Sequence, residues 1–262
     1  MATGVLPLLL GKATRAANYL QDTDKEYNAE FKLGYCTDTQ DSTGKTLNKS
    51  DIKVTGEQIE DILTDFRGNI LQTPPMYSAV QINGQRLYTL ARKGIEVERE
   101  KRPVTVYKLL LNKFDKNTQS GELTIRCSKG TYIRTICADI GEKLGCFGVM
   151  TSLRRTFAAG FSLTDAVTLK EAEELSDKDI LKNRVYPTEN LFSAFGAVKV
   201  SPAQSTRFKN GGGLSLERVS ALPKNIFDGM IFRVKSSQGE FLGLGTVDFE
   251  KAELKVLRLF CD

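Results

Sequence analysis

The stretch CSKGTYIRT, from Cys127 to Thr135, joins a predicted strand to a predicted helix. Before it, apolar and polar residues alternate, which is the period of a half-buried strand. After it, apolar residues recur at spacings of three and four, which is typical of an amphipathic helix. Lys129-Gly130 predicts a tight turn between them, and Thr131 is the expected N-cap of a helix that begins at Tyr132.

Arg134 stands out because the expected helix places it in the first turn. The helix dipole disfavours a cation there by a few tenths of a kcal/mol up to about one. A partner carboxylate would relieve this penalty, and such a local conflict often marks a functional site. Position alone nevertheless favours an ordinary surface arginine, because an exposed charge of the wrong sign costs little.

Composition limits the classes of protein that fit. With 262 residues, 40% of them hydrophobic, the chain can bury the core of one large and one small domain. The net charge of +5 at pH 7 suits a polyanionic partner without requiring one. Five cysteines without C-x-x-C spacing favour reduced thiols in the cytoplasm over disulfides or a zinc site. No apolar run approaches the ~20 residues of a membrane span, so we expect no membrane partner. The cysteine spacing likewise gives no reason to expect a metal.

Histidine is absent from the sequence. Its absence excludes Ser-His-Asp and Cys-His catalysis, histidine metal ligation and a histidine general base. An enzyme with this composition must use carboxylate, tyrosine, arginine or lysine side chains.

The segments before the central stretch predict both strands and loops. Lys25–Leu33 alternates cleanly, with Tyr27 on the apolar face, and is a predicted strand. Val5–Leu10 is an apolar run interrupted by a proline, which predicts an edge or broken strand. Gly34–Lys49 is polar and is expected to form a loop.

Two capping boxes predict helix starts, one at Thr55 with Gln58 and the other at Thr168 with Glu171. From Val198 onward, short apolar runs alternate with turn signals, which predicts a small all-β module of strands and turns.

The segment from Gln81 to Arg102 is rich in basic residues that flank Tyr88, and it opens on an Asn-Gly hairpin signal. Basic residues interleaved with an aromatic ring are typical of a nucleic-acid-facing insertion. Three glutamates dilute the signal, and composition alone favours a solvated charged surface. The residues expected to contact a nucleic acid are Arg86 and Arg92 of this segment and Lys129 of the central turn.

Several motifs occur along the chain in a fixed order. They are ATGVLP (Ala2–Pro7), KEYNAEFKLG (Lys25–Gly34), PPMYSAV (Pro74–Val80), CSKGTYIRT, LRR (Leu153–Arg155), and RFKNG and FLGLG near the C-terminal end. In this order they resemble the bacterial tRNA pseudouridine synthase B family over nearly the whole chain. No single motif would be specific, but the ordered set is.

The resemblance implies an α+β fold with a mixed β-sheet. It implies a catalytic domain over residues 1–190, with a thumb-like insertion at about 74–102, and a small all-β, PUA-like RNA-binding domain over 195–262. It also implies isomerisation of the T-loop uridine of tRNA to pseudouridine without a cofactor. The partner is then the T-arm of tRNA, and we expect a cytoplasmic monomer.

The resemblance also implies roles for four residues. Arg134 looks like the arginine that pairs with the catalytic aspartate, and Tyr27 like the tyrosine that stacks on the flipped base and helps proton transfer at C5. Tyr132 and Leu153 look like substrate-pocket residues, although spacing alone would place Tyr27 and Leu153 in the core. An enzyme that acts on a stacked base must flip it out and hold it between aromatic and apolar groups.

One departure from the family concerns the nucleophile. In the family, ATGVLP follows a G-x-L-D-P segment whose aspartate attacks the sugar, and the resemblance places that aspartate two residues before Met1. We therefore expect the 262-residue chain to lack its nucleophile and to be inactive. Asp38 and Asp41 are expected to be solvated loop acids. Gln81, where the family usually has lysine, weakens one expected thumb contact.

Two further interpretations stay open. The first is a non-catalytic tRNA-binding protein that keeps the thumb-like and PUA-like surfaces. The second is a module that binds some other structured RNA. The nucleotide sequence upstream of Met1 would discriminate an enzyme from a binder, because an in-frame aspartate there would restore the motif.

Overall fold

The computed structural model describes residues 2–21, 23–219 and 222–261. Contacts divide the chain into two units. The first contains the residues up to Pro7 and Gln21–Ala166, and the second contains Leu8–Leu20 and the residues from Val167 onward. The domain boundary expected near residues 190–195 stays a prediction.

The first unit is built on a seven-stranded sheet. The strands of this unit are β1 Thr3–Gly4, β2 Lys25–Leu33, β3 Tyr35–Thr37, β4 Thr46–Lys49, β5 Gly68–Gln72, β6 Gln81–Ile82, β7 Gln85–Arg86, β8 Arg102–Asp115, β9 Ser120–Cys127, β10 Gly148–Ala158 and β11 Phe161–Ser162. The main sheet has the order β1-β10-β2-β9-β8-β5, with β11 paired to β10. β1 runs parallel to β10 and the other pairs are antiparallel, which confirms the expected α+β fold with a mixed sheet.

Helices cover one face of this sheet. The α-helices among the described residues are α1 Ala17–Gln21, α2 Gly56–Leu63, α3 Leu87–Arg92, α4 Ile133–Lys143, α5 Leu169–Asp177 and α6 Pro202–Lys209. Both predicted capping boxes are present, at the starts of α2 and α5. The apolar stripe of α4 lies against the sheet, where Ile136 and Ile140 are fully buried beside Leu123 and Ile125 of β9. The alternation in β9 and the stripe in α4 therefore form one core, as the sequence predicts.

Gly141 sets how closely α4 approaches β10. A Cβ at this position would lie 2.2 Å from the backbone of Phe147 and Gly148. Real side-chain carbons do not come so close to a backbone, so only glycine lets the helix pack directly on the start of the strand. This close approach fixes the height of α4 above the sheet.

Two local predictions were wrong. The Val5–Leu10 run does not form the expected strand. Its pairing with β10 ends at Val5, whose N–H donates to the Arg155 carbonyl at 2.8 Å, because Pro7 has no N–H to continue a ladder. The Gly34–Lys49 segment is not only a loop, since β3 and β4 form a hairpin within it. The Asn83-Gly84 turn is confirmed, with φ values of 49° and 77° between β6 and β7.

The second unit contains a five-stranded sheet of order β12-β14-β15-β16-β13. Its strands are β12 Gly196–Lys199, β13 Leu214–Ser215, β14 Ile231–Lys235, β15 Phe241–Asp248 and β16 Glu253–Leu259. The sheet buries an apolar cluster that includes Val234 and Leu254 together with Phe208 of α6. α6 lies in the region expected to contain only strands and turns, and it forms because Ser201 and Gln204 make a capping box and Pro202 stands at its first position.

No helix in the described part of the chain is long and apolar enough to cross a membrane.

The two helical glycines of the first unit give a matched test of this packing. Gly141→Ala should lower the free energy of unfolding by about 1–3 kcal/mol or more, because its methyl group overlaps the backbone at the start of β10. Gly56→Ala, whose Cβ would meet only side chains at 4.0 Å, should be neutral or stabilising by up to about 1 kcal/mol. Urea denaturation of both variants measures this, and equal effects would contradict the close approach.

Candidate active site

Tyr27 and Leu153 lie on neighbouring strands of the main sheet. Tyr27 of β2 pairs with Ile125 of β9 on one side and with Arg155 of β10 on the other. Leu153 of β10 pairs with Ala29 of β2. Because residues two apart on a strand share a face, Tyr27, Leu153 and Arg155 all lie on the face that carries the apolar core. Tyr27 and Leu153 are partly buried against that core.

Gln72 holds the turn that leads into α4. Its buried side-chain amide accepts a hydrogen bond from the Tyr132 N–H at 2.7 Å and donates one to the Tyr132 carbonyl at 3.0 Å. Tyr132 is the N-cap, so the predicted start at this residue is one position early and the predicted cap at Thr131 is wrong. The Thr131 hydroxyl is engaged elsewhere, because it donates to the Ser128 carbonyl at 3.0 Å.

Arg134 lies in the first turn of α4 and donates to three acceptors. Nη1 reaches the Thr39 carbonyl at 3.3 Å and Oδ2 of Asp41 at 3.2 Å, and Nη2 reaches the Tyr77 carbonyl at 2.8 Å. The side chains of Arg134 and Asp41 are only 23% and 19% exposed. Arg134 therefore has the partner carboxylate that its unfavourable position suggested. The expectation that Asp41 is a solvated loop acid was wrong, because the loop folds back onto α4.

Hydrogen bonds keep Asp41 ionised. Burial alone would raise the pKa of this carboxyl, but donors from Thr43, Thr39 and Arg134 outweigh burial and hold the pKa below its ordinary value. Oδ1 accepts from the Thr39 hydroxyl at 2.9 Å and from the N–H and hydroxyl of Thr43 at 3.0 and 2.6 Å. One carboxylate oxygen is thus saturated, and the other binds Arg134.

The loop that carries Asp41 is fixed to both α4 and β10. Gln40 adopts a left-handed φ of 62°, which few residues other than glycine tolerate. Its carbonyl accepts from the Met150 N–H at 3.2 Å, and its side chain accepts from the Thr135 hydroxyl at 2.8 Å. The backbone conformation of Gln40 therefore orients its neighbours Thr39 and Asp41 towards Arg134.

Tyr27 has a perturbed hydroxyl. Burial raises the pKa of this phenol, and the nearby Cys127 thiol raises it further. The positive charge of Arg155, which stands opposite Tyr27 on β10, acts in the opposite direction. A partly buried phenol beside a guanidinium can take part in proton transfer.

The expected RNA contacts lie on exposed parts of the same unit. Arg86 and Arg92 are exposed and place their guanidinium carbons 6.0 and 5.4 Å from the centre of the Tyr88 ring. Lys129 is exposed in the turn before α4. Both ring contacts lie within the basic segment and carry no information about RNA. The role of Arg86, Arg92 and Lys129 in RNA binding therefore stays a prediction.

Sequence reasoning assigned no site role to Asp41, Gln72 or Arg155. The T-D-T-Q-D run around Asp41 is rich in groups that hydrogen-bond to the nearby backbone, which was a signal for an ordered loop. Gln72 and Arg155 carry no comparable local signal, because their partners lie far away in sequence.

Comparison with known proteins gives the family context of this site. Residues 1–133 match the family described as TruB family pseudouridylate synthase (N terminal domain), and residues 134–193 match tRNA pseudouridylate synthase B C-terminal domain. The chain is 39% identical over 259 residues to proteins named tRNA pseudouridine synthase B from Escherichia coli K12 and Shigella flexneri, covering 95% of this chain and 80% of each relative.

Solved structures share the fold. A chain from the crystal structure of a Cbf5-Nop10-Gar1 complex matches 99% of this chain with a TM-score of 0.75 and 23% identity. A chain from the archaeal box H/ACA sRNP Nop10-Cbf5 complex matches 99% with a TM-score of 0.71 and 20% identity. These similarities cover 73% and 74% of the matched chains.

The ionised state of Asp41 predicts a pH-dependent stability. A carboxyl whose pKa is lowered by folding contributes stability above its unfolded pKa of about 3.9 and loses it as the pH falls through the folded pKa. Asp41→Asn should therefore cost about 1 kcal/mol at pH 7 and progressively less below about pH 4. Urea denaturation from pH 7 to pH 3 measures the difference, with exposed Asp51→Asn as the control. An equal cost at both ends would contradict the role of the charge.

Proposed function

Because the chain belongs to the TruB family of pseudouridylate synthases, we propose that it isomerises the T-loop uridine at position 55 of tRNA to pseudouridine. The observation that carries this proposal is the fixed guanidinium of Arg134. It lies in the unit whose sheet presents Tyr27 and Leu153 on its core face.

The reaction sets the requirements of the site. The bond between N1 of uracil and C1′ of the ribose breaks, a bond between C5 and C1′ forms, and the proton on C5 leaves while N1 gains one. No atom is gained or lost overall. The site must therefore hold a flipped base, stabilise a nucleophile that attacks the nucleoside, and move a proton from C5.

Arg134 meets the second requirement. A guanidinium carries five N–H donors, and three are used by Thr39, Asp41 and Tyr77. Within the described residues, its Nε–H and the second N–H of Nη2 donate to no other group, so they can bind a further carboxylate. An arginine beside a nucleophilic aspartate keeps that carboxylate ionised in a dry pocket, because the positive charge lowers its pKa.

Asp41 itself is a poor nucleophile. Its Oδ1 already accepts three hydrogen bonds and its Oδ2 binds Arg134. With hydrogen bonds on both oxygens, this carboxylate is held against Arg134 and its own loop and is not free to turn towards a sugar. In this proposal Asp41 orients Arg134. The role of the nucleophile falls to the aspartate of the family's G-x-L-D-P segment.

Tyr27, Tyr132 and Leu153 meet the first and third requirements. The Tyr27 ring stacks on the flipped base, and its hydroxyl helps to move the proton from C5. Leu153 supplies an apolar wall, and Tyr132 lines the pocket at the start of α4. Base stacking on an aromatic ring contributes about 1–3 kcal/mol, which offsets the cost of flipping.

The substrate RNA is held outside the pocket. Arg86, Arg92 and Lys129 bind phosphates of the T-arm, with the residues at about 74–102 acting as a thumb. The domain over 195–262 is a PUA-like RNA-binding domain attached to a catalytic domain over 1–190, and the protein works as a monomer.

Tritium release from tRNA labelled at C5 of uridine tests the proposal. The chain extended upstream to include the expected aspartate should release tritium, whereas its Asp→Asn variant and the 262-residue chain should not. In the extended chain, Arg134→Met should reduce turnover by orders of magnitude, and Arg134→Lys should restore only part of it, because lysine lacks the planar fork.

Three outcomes would contradict parts of this account. Release by the 262-residue chain would place the nucleophile within it. Near-full activity of Arg134→Met would make the arginine structural. Tight tRNA binding without any release by the extended chain would favour a non-catalytic tRNA-binding protein.

A further inference from the structure

We propose that Arg155 is a positioning residue for Tyr27 and that it links Tyr27 to the chain segment Thr3–Val5. The inference rests on the proposed function, because it assumes that Tyr27 meets the base. Its geometry, however, is independent of that role.

Arg155 lies between Tyr27 and β1 in the sheet. In the antiparallel pair β2–β10, Arg155 stands directly opposite Tyr27, and in the parallel pair β1–β10 it stands beside Gly4. Directly opposed residues of an antiparallel pair project to the same face, with Cβ atoms about 4.5–5.5 Å apart. The Arg155 side chain is therefore a direct neighbour of the Tyr27 ring.

Arg155 also binds the segment Thr3–Val5 with both its side chain and its backbone. Its Nε–H donates to the Val5 carbonyl at 2.6 Å, and its own carbonyl accepts from the Val5 N–H at 2.8 Å. A Cβ at Gly4 would lie 2.1 Å from the Arg155 carbonyl oxygen, so no larger residue fits there. A displacement of this segment would therefore move the Arg155 side chain, which stands opposite Tyr27.

Two titratable groups face Tyr27 from the neighbouring strands, Cys127 of β9 and Arg155 of β10. Burial raises the pKa of the Cys127 thiol to about 11, so it stays protonated at neutral pH. Arg155 is then the only one of the two that is charged there. Its positive charge favours the phenolate form of Tyr27, against the effect of burial.

The fixed guanidinium also constrains the Tyr27 hydroxyl. A guanidinium has donors only, so the Tyr27 O–H cannot donate to Arg155 and must point to another acceptor. The Nε–H of Arg155 is held on the Val5 carbonyl, which keeps the guanidinium on the strand position opposite Tyr27. Arg155 thus favours ionisation of the hydroxyl that the proposed reaction uses and limits where its proton can point.

The next residue provides a matched control. Arg154 is exposed and pairs with Asn28, so it projects to the opposite face of the sheet. Arg154→Met removes the same charge from the same strand without removing a neighbour of Tyr27.

The test uses 3-fluorotyrosine at position 27, observed by ¹⁹F NMR during a pH titration. Fluorine lowers the pKa of the phenol, so ionisation can be followed while the protein stays folded. Arg155→Met should raise the pKa of this probe by about one unit or more. Arg155→Lys, which keeps the charge, should raise it less, and Arg154→Met should leave it unchanged. A pKa that is the same in Arg155→Met and the unsubstituted protein, or that moves equally in Arg154→Met, would overturn the proposal.

Activity separates this inference from the proposed function. In a chain that releases tritium, Arg155→Met should reduce kcat and shift the basic limb of the pH–rate profile to higher pH, with partial recovery in Arg155→Lys. An unshifted profile beside a shifted NMR pKa would overturn the positioning role. Full activity of Tyr27→Phe would instead remove Tyr27 from the proposed mechanism, whereas the NMR titration would still decide whether Arg155 controls the phenol. If Arg155→Met does not fold, Arg155→Lys and Arg154→Met still give the comparison.

Discussion

The fixed guanidinium of Arg134 is the interaction on which the candidate site depends. A cation in the first turn of a helix is unfavourable there, and it is tolerated because Asp41 and the carbonyls of Thr39 and Tyr77 surround it. Two chain segments that are distant in sequence, the loop at Thr39–Asp41 and the segment at Tyr77, are thereby tied to the start of α4. The same contacts leave further donors for a second carboxylate, which is what a nucleophile in a partly buried pocket requires.

The fold supplies the rigidity that this arrangement needs. Gly141 lets α4 press directly on β10, and Gln72 clamps the backbone of Tyr132 at the start of the helix. The strained Gln40 fixes the Asp41 loop to both elements. Each side chain of the site therefore projects from a strand or helix, or from a loop that is hydrogen-bonded to one. The site is thus preorganised before substrate binds.

Periodicity and capping signals predicted the framework. β2, α2, the strand before the central turn and the stripe of α4 follow from local patterns, and all are present. Local sequence did not predict the partner of Arg134, because Asp41 lies 93 residues away and its polar loop has the composition of solvated chain. Gln72 is likewise 60 residues from Tyr132. Local sequence specifies which residues form an element, whereas tertiary packing decides which polar groups meet.

The central claim is that the Tyr27 and Leu153 face receives a flipped uridine within reach of Arg134. The most direct measurement is a crystal structure of the extended chain bound to a tRNA T-arm stem-loop. The account predicts density for the target base outside the stack of the loop, against the Tyr27 ring and Leu153, with the expected aspartate hydrogen-bonded to Arg134. A target base that stays stacked in the RNA, or that binds away from these residues, would contradict it.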